Sequence, residues 1–161
     1  MIRIFTTGGT IDKVYFDDNS EFQVGEPQVL EILEQANLAV DYRVTSLLKK
    51  DSLHFTAEDR RLIRDAVGGC TERRVIITHG TDTMVETGRL LQAVPGKVIV
   101  MTGAMQPARF RHTDATFNIA AAFMAVQLLG EGTHIVMNGR VLKPDGAVKN
   151  RERHRFESND R

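Results

Sequence analysis

Apolar and polar positions along the chain fall into two alternating rhythms. Short, nearly unbroken apolar runs recur at Val75-Ile76-Ile77, Val98-Ile99-Val100-Met101 and Ile135-Val136-Met137. Strands covered on both faces look like this, as in a parallel sheet. The runs predict strands at Ile2 to Thr6, Tyr42 to Leu47, Arg74 to Thr78, Lys97 to Thr102 and His134 to Asn138. Between them lie four stretches with helical spacing. The first opens at Pro27, a good first-turn residue, and carries Val29, Leu30, Ile32, Leu33 and Ala36 on one side. The second starts with Thr56 and Asp59 in a capping-box pattern and stops at Gly68-Gly69. A third begins near Asp82, carries Met84, Leu90 and Leu91, and stops before Pro95-Gly96. The fourth, Ala115 to Leu129, sets Phe117, Ala121, Met124 and Leu128 at helical spacing and closes at Gly130.

The β-α-β-α-β-α-β-α-β order predicts a doubly wound, mostly parallel α/β sheet in three layers, flavodoxin-like or Rossmann-like. The chain has 161 residues, the size of one domain. The last thirteen residues, 149–161, are charged and poorly periodic and are expected to form a partly solvated tail. Lys plus Arg and Asp plus Glu each total 21, which removes the general electrostatic argument for a nucleic-acid or anionic-membrane partner. A single cysteine, Cys70, cannot form an internal disulfide. The five histidines lie at least twenty residues apart, without metal-ligand spacing. No apolar stretch is long enough to span a bilayer, and the expected setting is the reduced cytoplasm.

In such a sheet the carboxyl ends of the parallel strands share one edge, where ligands bind. The segments at that edge are Thr6-Thr7-Gly8-Gly9-Thr10-Ile11-Asp12, Lys50-Asp51-Ser52-Leu53-His54, Thr78-His79-Gly80-Thr81-Asp82-Thr83 and Thr102-Gly103-Ala104-Met105-Gln106-Pro107. Each alone fits ordinary turn chemistry. Gly8-Gly9 suits a strand-to-helix turn, Asp82 suits a helix cap, and His79 suits a structural role. Four loops rich in glycine and hydroxyls on one edge point to a functional cleft. The phosphate loop, the dinucleotide fingerprint and the Gly-x-Ser-x-Gly turn are all missing, which leaves threonine as the nucleophile to expect.

Thr7-Gly8-Gly9-Thr10-Ile11 and His79-Gly80-Thr81-Asp82-Thr83-Met84 resemble the two hallmark motifs of the bacterial-type L-asparaginase family, about seventy residues apart. Thr102 to Pro107 looks like a third family segment, and Asp114 to Asn118 fits the stretch that succeeds it in the family. The resemblance covers essentially the whole chain, 1–161, but only the N-terminal domain of the usual two-domain enzymes.

That resemblance implies that Thr10 is the acylated nucleophile and that Thr81, Asp82 and a lysine form a second catalytic group. Lys149 is the best match for the lysine, with Lys143 a nearby competitor. Lys149 would serve as a base if burial outweighs the Asp82 carboxylate, and otherwise only orients Thr81. Tyr15 is the tyrosine expected to assist the first step, whereas another alignment puts Phe22 there. Gly9, Ser52, Gly80, Thr81, Asp82 and Ala104 are the implied substrate-binding positions, Asp82 taking the α-amino group and Ser52 the α-carboxylate. His54 replaces an acidic residue common in that segment, and Glu21 is a local substitute for a carboxylate that longer members borrow from a neighbouring subunit. The implied reaction is hydrolysis of L-asparagine to L-aspartate and ammonia without metal or cofactor, in a homo-dimer or homo-tetramer. Glutamine hydrolysis, an amino-acid-binding domain without turnover, and a structural subunit stay open as alternatives.

Overall fold

Each apolar run becomes a strand whose alternate side chains enter two different cores. In the computed structural model, which describes residues 1–16 and 21–159, the elements in chain order are β1 (Ile2–Gly8), β2 (Lys13–Phe16), β3 (Glu21–Val24), α1 (Val29–Gln35), β4 (Tyr42–Lys50), α2 (Ala57–Gly69), β5 (Arg74–Thr78), α3 (Met84–Leu91), β6 (Val98–Thr102), α4 (Ala115–Leu128), β7 (Gly132–Met137), β8 (Arg140–Leu142), β9 (Ala147–Asn150) and β10 (Arg155–Ser158). Ile4, Ile76, Val100 and Val136 point to one side and pack under α1 and α4. Phe5, Ile77, Ile99, Met101 and Ile135 point to the other and meet α2 and α3 through Ile63, Val67, Met84 and Leu91. This double coverage explains why the runs lack polar alternation.

The main sheet has the order β4-β1-β5-β6-β7-β8. The first five strands are parallel, and β8 runs antiparallel to β7. Numbered among themselves, the parallel strands lie in the flavodoxin-like order 2-1-3-4-5, with the direction of winding reversing between β1 and β5. The fold is therefore the doubly wound three-layer α/β arrangement that the alternation predicts. Helix α2 starts with the expected reciprocal cap. Thr56 Oγ1 accepts from the Asp59 N–H at 3.2 Å, and Asp59 Oδ2 accepts from the Thr56 N–H at 2.9 Å. None of the helices among the described residues is long and apolar enough to cross a membrane.

The structure adds β2, β3 and β8 to the expected strands, and two further regions differ from the expectation. Within the charged stretch from Lys149 onward, β9 and β10 form an antiparallel pair, with Phe156 opposite Lys149. Phe156 is 0% exposed and joins the α3-side core, while its N–H donates to Asn138 Oδ1 at 2.9 Å. Phe156 is the aromatic anchor that docks this otherwise polar segment. In α4 the apolar stripe Phe117, Met124 and Leu128 faces outward, and Ile119, Ala122, Phe123 and Val126 make the core contact. The helix has apolar residues all round, so spacing alone does not select its buried side.

Removing the anchor should therefore destabilise the whole domain. Phe156→Ala is expected to lower unfolding free energy by about 3 to 5 kcal/mol in chemical denaturation, as for other buried aromatics. A loss of a few tenths would show the segment to be peripheral.

Candidate active site

The winding reversal sets the end of β1 beside the end of β5. Thr7 Oγ1 donates to Thr78 O at 2.8 Å and ties the two strand ends together. Gly9 comes next with φ 91°, in the left-handed region, and its N–H donates to Lys50 O at 3.0 Å. A Cβ on Gly9 would sit 2.5 Å from Gly80 Cα, so the first and third loops touch backbone to backbone. Thr10 opens a 3-10 turn, Thr10–Asp12, immediately past that contact and is half-buried.

On the facing loop, His79 is fully buried. Its Nδ1 donates to Gly80 O at 2.8 Å, because a carbonyl can only accept. The neutral ring then accepts from Thr87 Oγ1 at Nε2, also at 2.8 Å. Burial pushes the His79 pKa down to about 4, with the Gly80 carbonyl opposing and the Arg60 charge reinforcing the shift. An imidazole neutral throughout the physiological range, held at both nitrogens, positions Gly80 and has no proton to trade.

Thr81 and Asp82 lie just before α3. Thr83, not Asp82, occupies the helix N-cap. The Asp82 carboxylate is used differently: Lys149 Nζ donates to Thr81 Oγ1 at 2.7 Å and to Asp82 Oδ1 at 2.9 Å. Strand β9 delivers that lysine. Alternation along it sends Ala147 into the core and places Lys149 on the same inward face. Lys143, the competing lysine, lies elsewhere, with its Nζ beside Gly132 at the start of β7. Arg151 reaches Asp82 Oδ1 as well, at 3.3 Å, a contact that no sequence motif signals. These groups border a cleft of about 310 Å³ that also reaches Glu86 and Arg89.

Ser52 lies in the second loop, 1% exposed, with its Oγ unpaired among the described residues. A Cβ on Gly80 would come 2.5 Å from that oxygen, so only glycine lets the two loops pass. Thr83 Oγ1 donates to Ser52 O at 3.0 Å and fixes the turn. Ala104 is buried in the fourth loop, which α4 secures. Asp114 accepts from the Met105 and Gln106 N–H groups at 2.9 to 3.0 Å, and Asn118 Nδ2 donates to Gly103 O at 3.0 Å.

Tyr15 stands apart from the lysine group. It lies on β2 opposite Phe22 on β3, 52% exposed, with ring centroids 5.4 Å apart. Phe22 in turn meets Phe110 at 5.7 Å. The two alignments for the assisting tyrosine therefore point to neighbouring positions on one face of one strand pair. Glu21 and His54 are both exposed, and the carboxylate and imidazole are not buried in the loop contacts. Among the described residues no group of three or more His, Cys, Asp or Glu side chains could hold a metal ion.

A residue without any sequence signal of its own is Asp12, buried two positions past Thr10. Its Oδ1 accepts from the Gln28 N–H at 2.8 Å, its carbonyl accepts from the Gly25 N–H at 2.7 Å, and Arg109 Nε donates to Gln28 Oε1 at 2.9 Å. This clamp sets where β2 and β3 leave the site. Burial raises the Asp12 pKa to about 7, against the Gln28 N–H and with help from the nearby Glu26 charge.

Residues 1–160 match the sequence profile described as asparaginase, N-terminal. L-asparaginase 2-3 of Saccharomyces cerevisiae is 32% identical over 155 residues, covering 87% of this chain and 42% of the relative. L-asparaginase 2 of Bacillus subtilis is 28% identical over 165 residues, covering 87% and 41%. Among solved structures, a probable cytoplasmic L-asparaginase from Campylobacter jejuni superposes with a TM-score of 0.81 at 26% identity, covering 99% of this chain and 53% of that one. The thermostable L-asparaginase of Thermococcus kodakarensis reaches 0.85 at 22% identity, a likeness of fold, over 98% and 50%. The chain thus spans about half the length of the relatives it matches.

The Asp12 clamp has a pH signature. The folded protein keeps a proton up to about pH 7, whereas an ordinary aspartate loses it near 3.8. The stability this proton contributes is full below the lower value and is lost as pH rises through the higher one. Asp12→Asn keeps the acceptor for Gln28 and cannot ionise. Its stability advantage over wild type should grow by about 3 kcal/mol between pH 5 and pH 8 in denaturant titrations. A difference independent of pH would contradict the assignment.

Proposed function

The chain belongs to the asparaginase family, and from that premise we propose that it hydrolyses L-asparagine to L-aspartate and ammonia through an acyl intermediate on Thr10. The observation that carries this reading is the single lysine, Lys149, bridging Thr81 Oγ1 and Asp82 Oδ1 on the loop that touches the Thr10 loop. In the first half of the reaction Thr10 Oγ attacks the side-chain amide carbon, the C–N bond breaks, and ammonia leaves with the hydroxyl proton. In the second half water attacks the ester, aspartate departs, and the Thr10 hydroxyl is restored. In this reading Lys149 would orient Thr81 Oγ1 and exchange a proton with it.

Negative charge develops on the former amide oxygen in both halves. The Gly9 N–H is already given to Lys50 O, so donors for that oxygen come from other N–H groups of the Gly-rich turns. Tyr15 is the tyrosine that this reading assigns to the first step. The substrate α-amino group competes with Arg151 for Asp82, or takes its second oxygen. The direct ion pair of Lys149 with Asp82, which engages the lysine, favours a second reading, an asparagine-binding or aspartate-binding domain without turnover. The main reading further takes the chain as a homo-dimer or homo-tetramer in the cytoplasm, where its lone Cys70 needs no partner.

Ammonia release from L-asparagine at neutral pH, with L-glutamine alongside, tests the proposal. Thr10→Ala should abolish release, and Lys149→Met should lower kcat about 10²- to 10⁴-fold with the fold retained. Binding without release from the wild type would favour the second reading. Ser52→Ala should raise KM without destabilising the fold, because its buried hydroxyl lacks a partner to lose. An unchanged KM would remove Ser52 from the substrate site.

A further inference from the structure

Gln28, Glu31, Ile32 and Gln35 recur at spacings of three, one and three, which places them on one side of α1 and its entry. That side and the loop before α4, through Ala108 and Arg109, line a cavity of about 480 Å³. Volumes of this size are ordinary for small-molecule sites. The walls carry one cation and one anion. Among the described residues neither Arg109 nor Glu31 has an ion-pair partner, so both charges are left for something else.

Arg109 is held in place. Its Nε donates to Gln28 Oε1 at 2.9 Å, and Gln28 is 5% exposed. That bond fixes the guanidinium at its base and leaves both Nη groups without a partner among the described residues, a fork that suits a carboxylate. Glu31 Oε1 accepts from Gln35 Nε2 at 3.2 Å, which leaves Oε2 for an ammonium group. Ile32 and Ala108 supply apolar surface between polar groups that belong to two different elements. We propose that this cavity binds a small zwitterion of the amino-acid class, its carboxylate on Arg109 and its ammonium on Glu31. A single anion or a single cation would leave one of the two charges unanswered.

The walls of the cavity also support the turn that Thr10 opens. The Gln28 N–H donates to Asp12 Oδ1 at 2.8 Å, and the Ala108 N–H donates to Ile11 O at 3.1 Å. The Asp12 N–H donates back to Gly9 O at 3.1 Å and closes the turn. Gln28 and Ala108 thus each hold one of its residues, one from α1 and one from the α4 loop. A ligand that bridges Glu31 and Arg109 ties these two supports together, so occupancy steadies the turn. The binding site stands by itself, whereas its effect on turnover rests on the reading of Thr10 as the nucleophile. Arg109 also borders a second cavity, of about 440 Å³, which contains Tyr15 and the Lys49–Glu26 ion pair.

Nuclear magnetic resonance of the nitrogen-15-labelled chain tests the site with probes of equal chain length and different charge: 4-aminobutanoate, succinate and 1,4-diaminobutane. The zwitterion should shift the side-chain amide signals of Gln28 and Gln35, and the other two should not. Arg109→Ala and Glu31→Gln should each weaken its binding about tenfold, the loss of one charge-assisted contact. Glu31→Gln keeps an oxygen for the Gln35 amide, so it removes the charge without disturbing α1. Bound 4-aminobutanoate should also slow hydrogen exchange at the Asp12 N–H about fivefold. No shift at about 10 mM probe would overturn the site, and so would succinate or 1,4-diaminobutane binding as tightly. Affinity unchanged in both variants would overturn it too. Binding with unaltered exchange at Asp12 would overturn the link to the Thr10 turn. None of these readouts needs turnover, so a chain that releases no ammonia contradicts the catalytic proposal and leaves this one to be decided by the spectra.

Discussion

The site depends on backbones that approach more closely than any side chain permits. A Cβ on Gly9 would stand 2.5 Å from Gly80 Cα, and one on Gly80 would stand 2.5 Å from Ser52 Oγ. Three loops from three different strands therefore share one contact, and the residues flanking it inherit their positions. Thr10 succeeds Gly9, Thr81 succeeds Gly80, and Ser52 lies beneath both. The strand order makes this contact possible, because the winding reverses between β1 and β5 and leaves their ends adjacent and uncovered by a crossover.

Around that contact the polar groups divide into those that secure single loops and those that reach between elements. His79 is satisfied at both ring nitrogens, Asp114 takes two backbone N–H groups, and Asn118 bridges the Gly103 carbonyl to the Asn138 N–H. These are buried scaffolding. Lys149 has a different character, since it reaches across from β9 to two side chains on one loop. That reach relies on Phe156, whose burial anchors the β9–β10 pair that presents the lysine. Stability of the terminal segment and chemistry of the site are thus linked through one strand register.

Much of this is legible in the sequence, and the exceptions have physical causes. The inner strands β5, β6 and β7 announce themselves because double burial removes polar residues from them, while Pro27, Thr56 and Gly68-Gly69 punctuate the helices. Strand β8 escapes the apolar pattern, although Asn138-Gly139 signals a two-residue hairpin, with φ of 53° and 75° at its two positions. The short β9 and β10 lie in a charged stretch and rest on Phe156, and β2 and β3 are only four residues each. The outward side of α4 is unreadable by spacing, because two apolar faces give no contrast. Among site residues, Lys149 stands out only through resemblance, and Arg151, in the turn after β9, carries no signal of its own. Asp12 carries no local signal, since its weight comes from Gln28 and Arg109, distant in sequence.

The Gly9–Gly80 contact, on this view, makes Thr10 the residue that accepts the acyl group. Acid quenching during turnover of L-asparagine, with peptide mass analysis of the trapped protein, tests that claim most directly. The expected result is one β-aspartyl group added to the peptide that contains Thr10. Ammonia release with no adduct there, or with the adduct on Thr81, would contradict it.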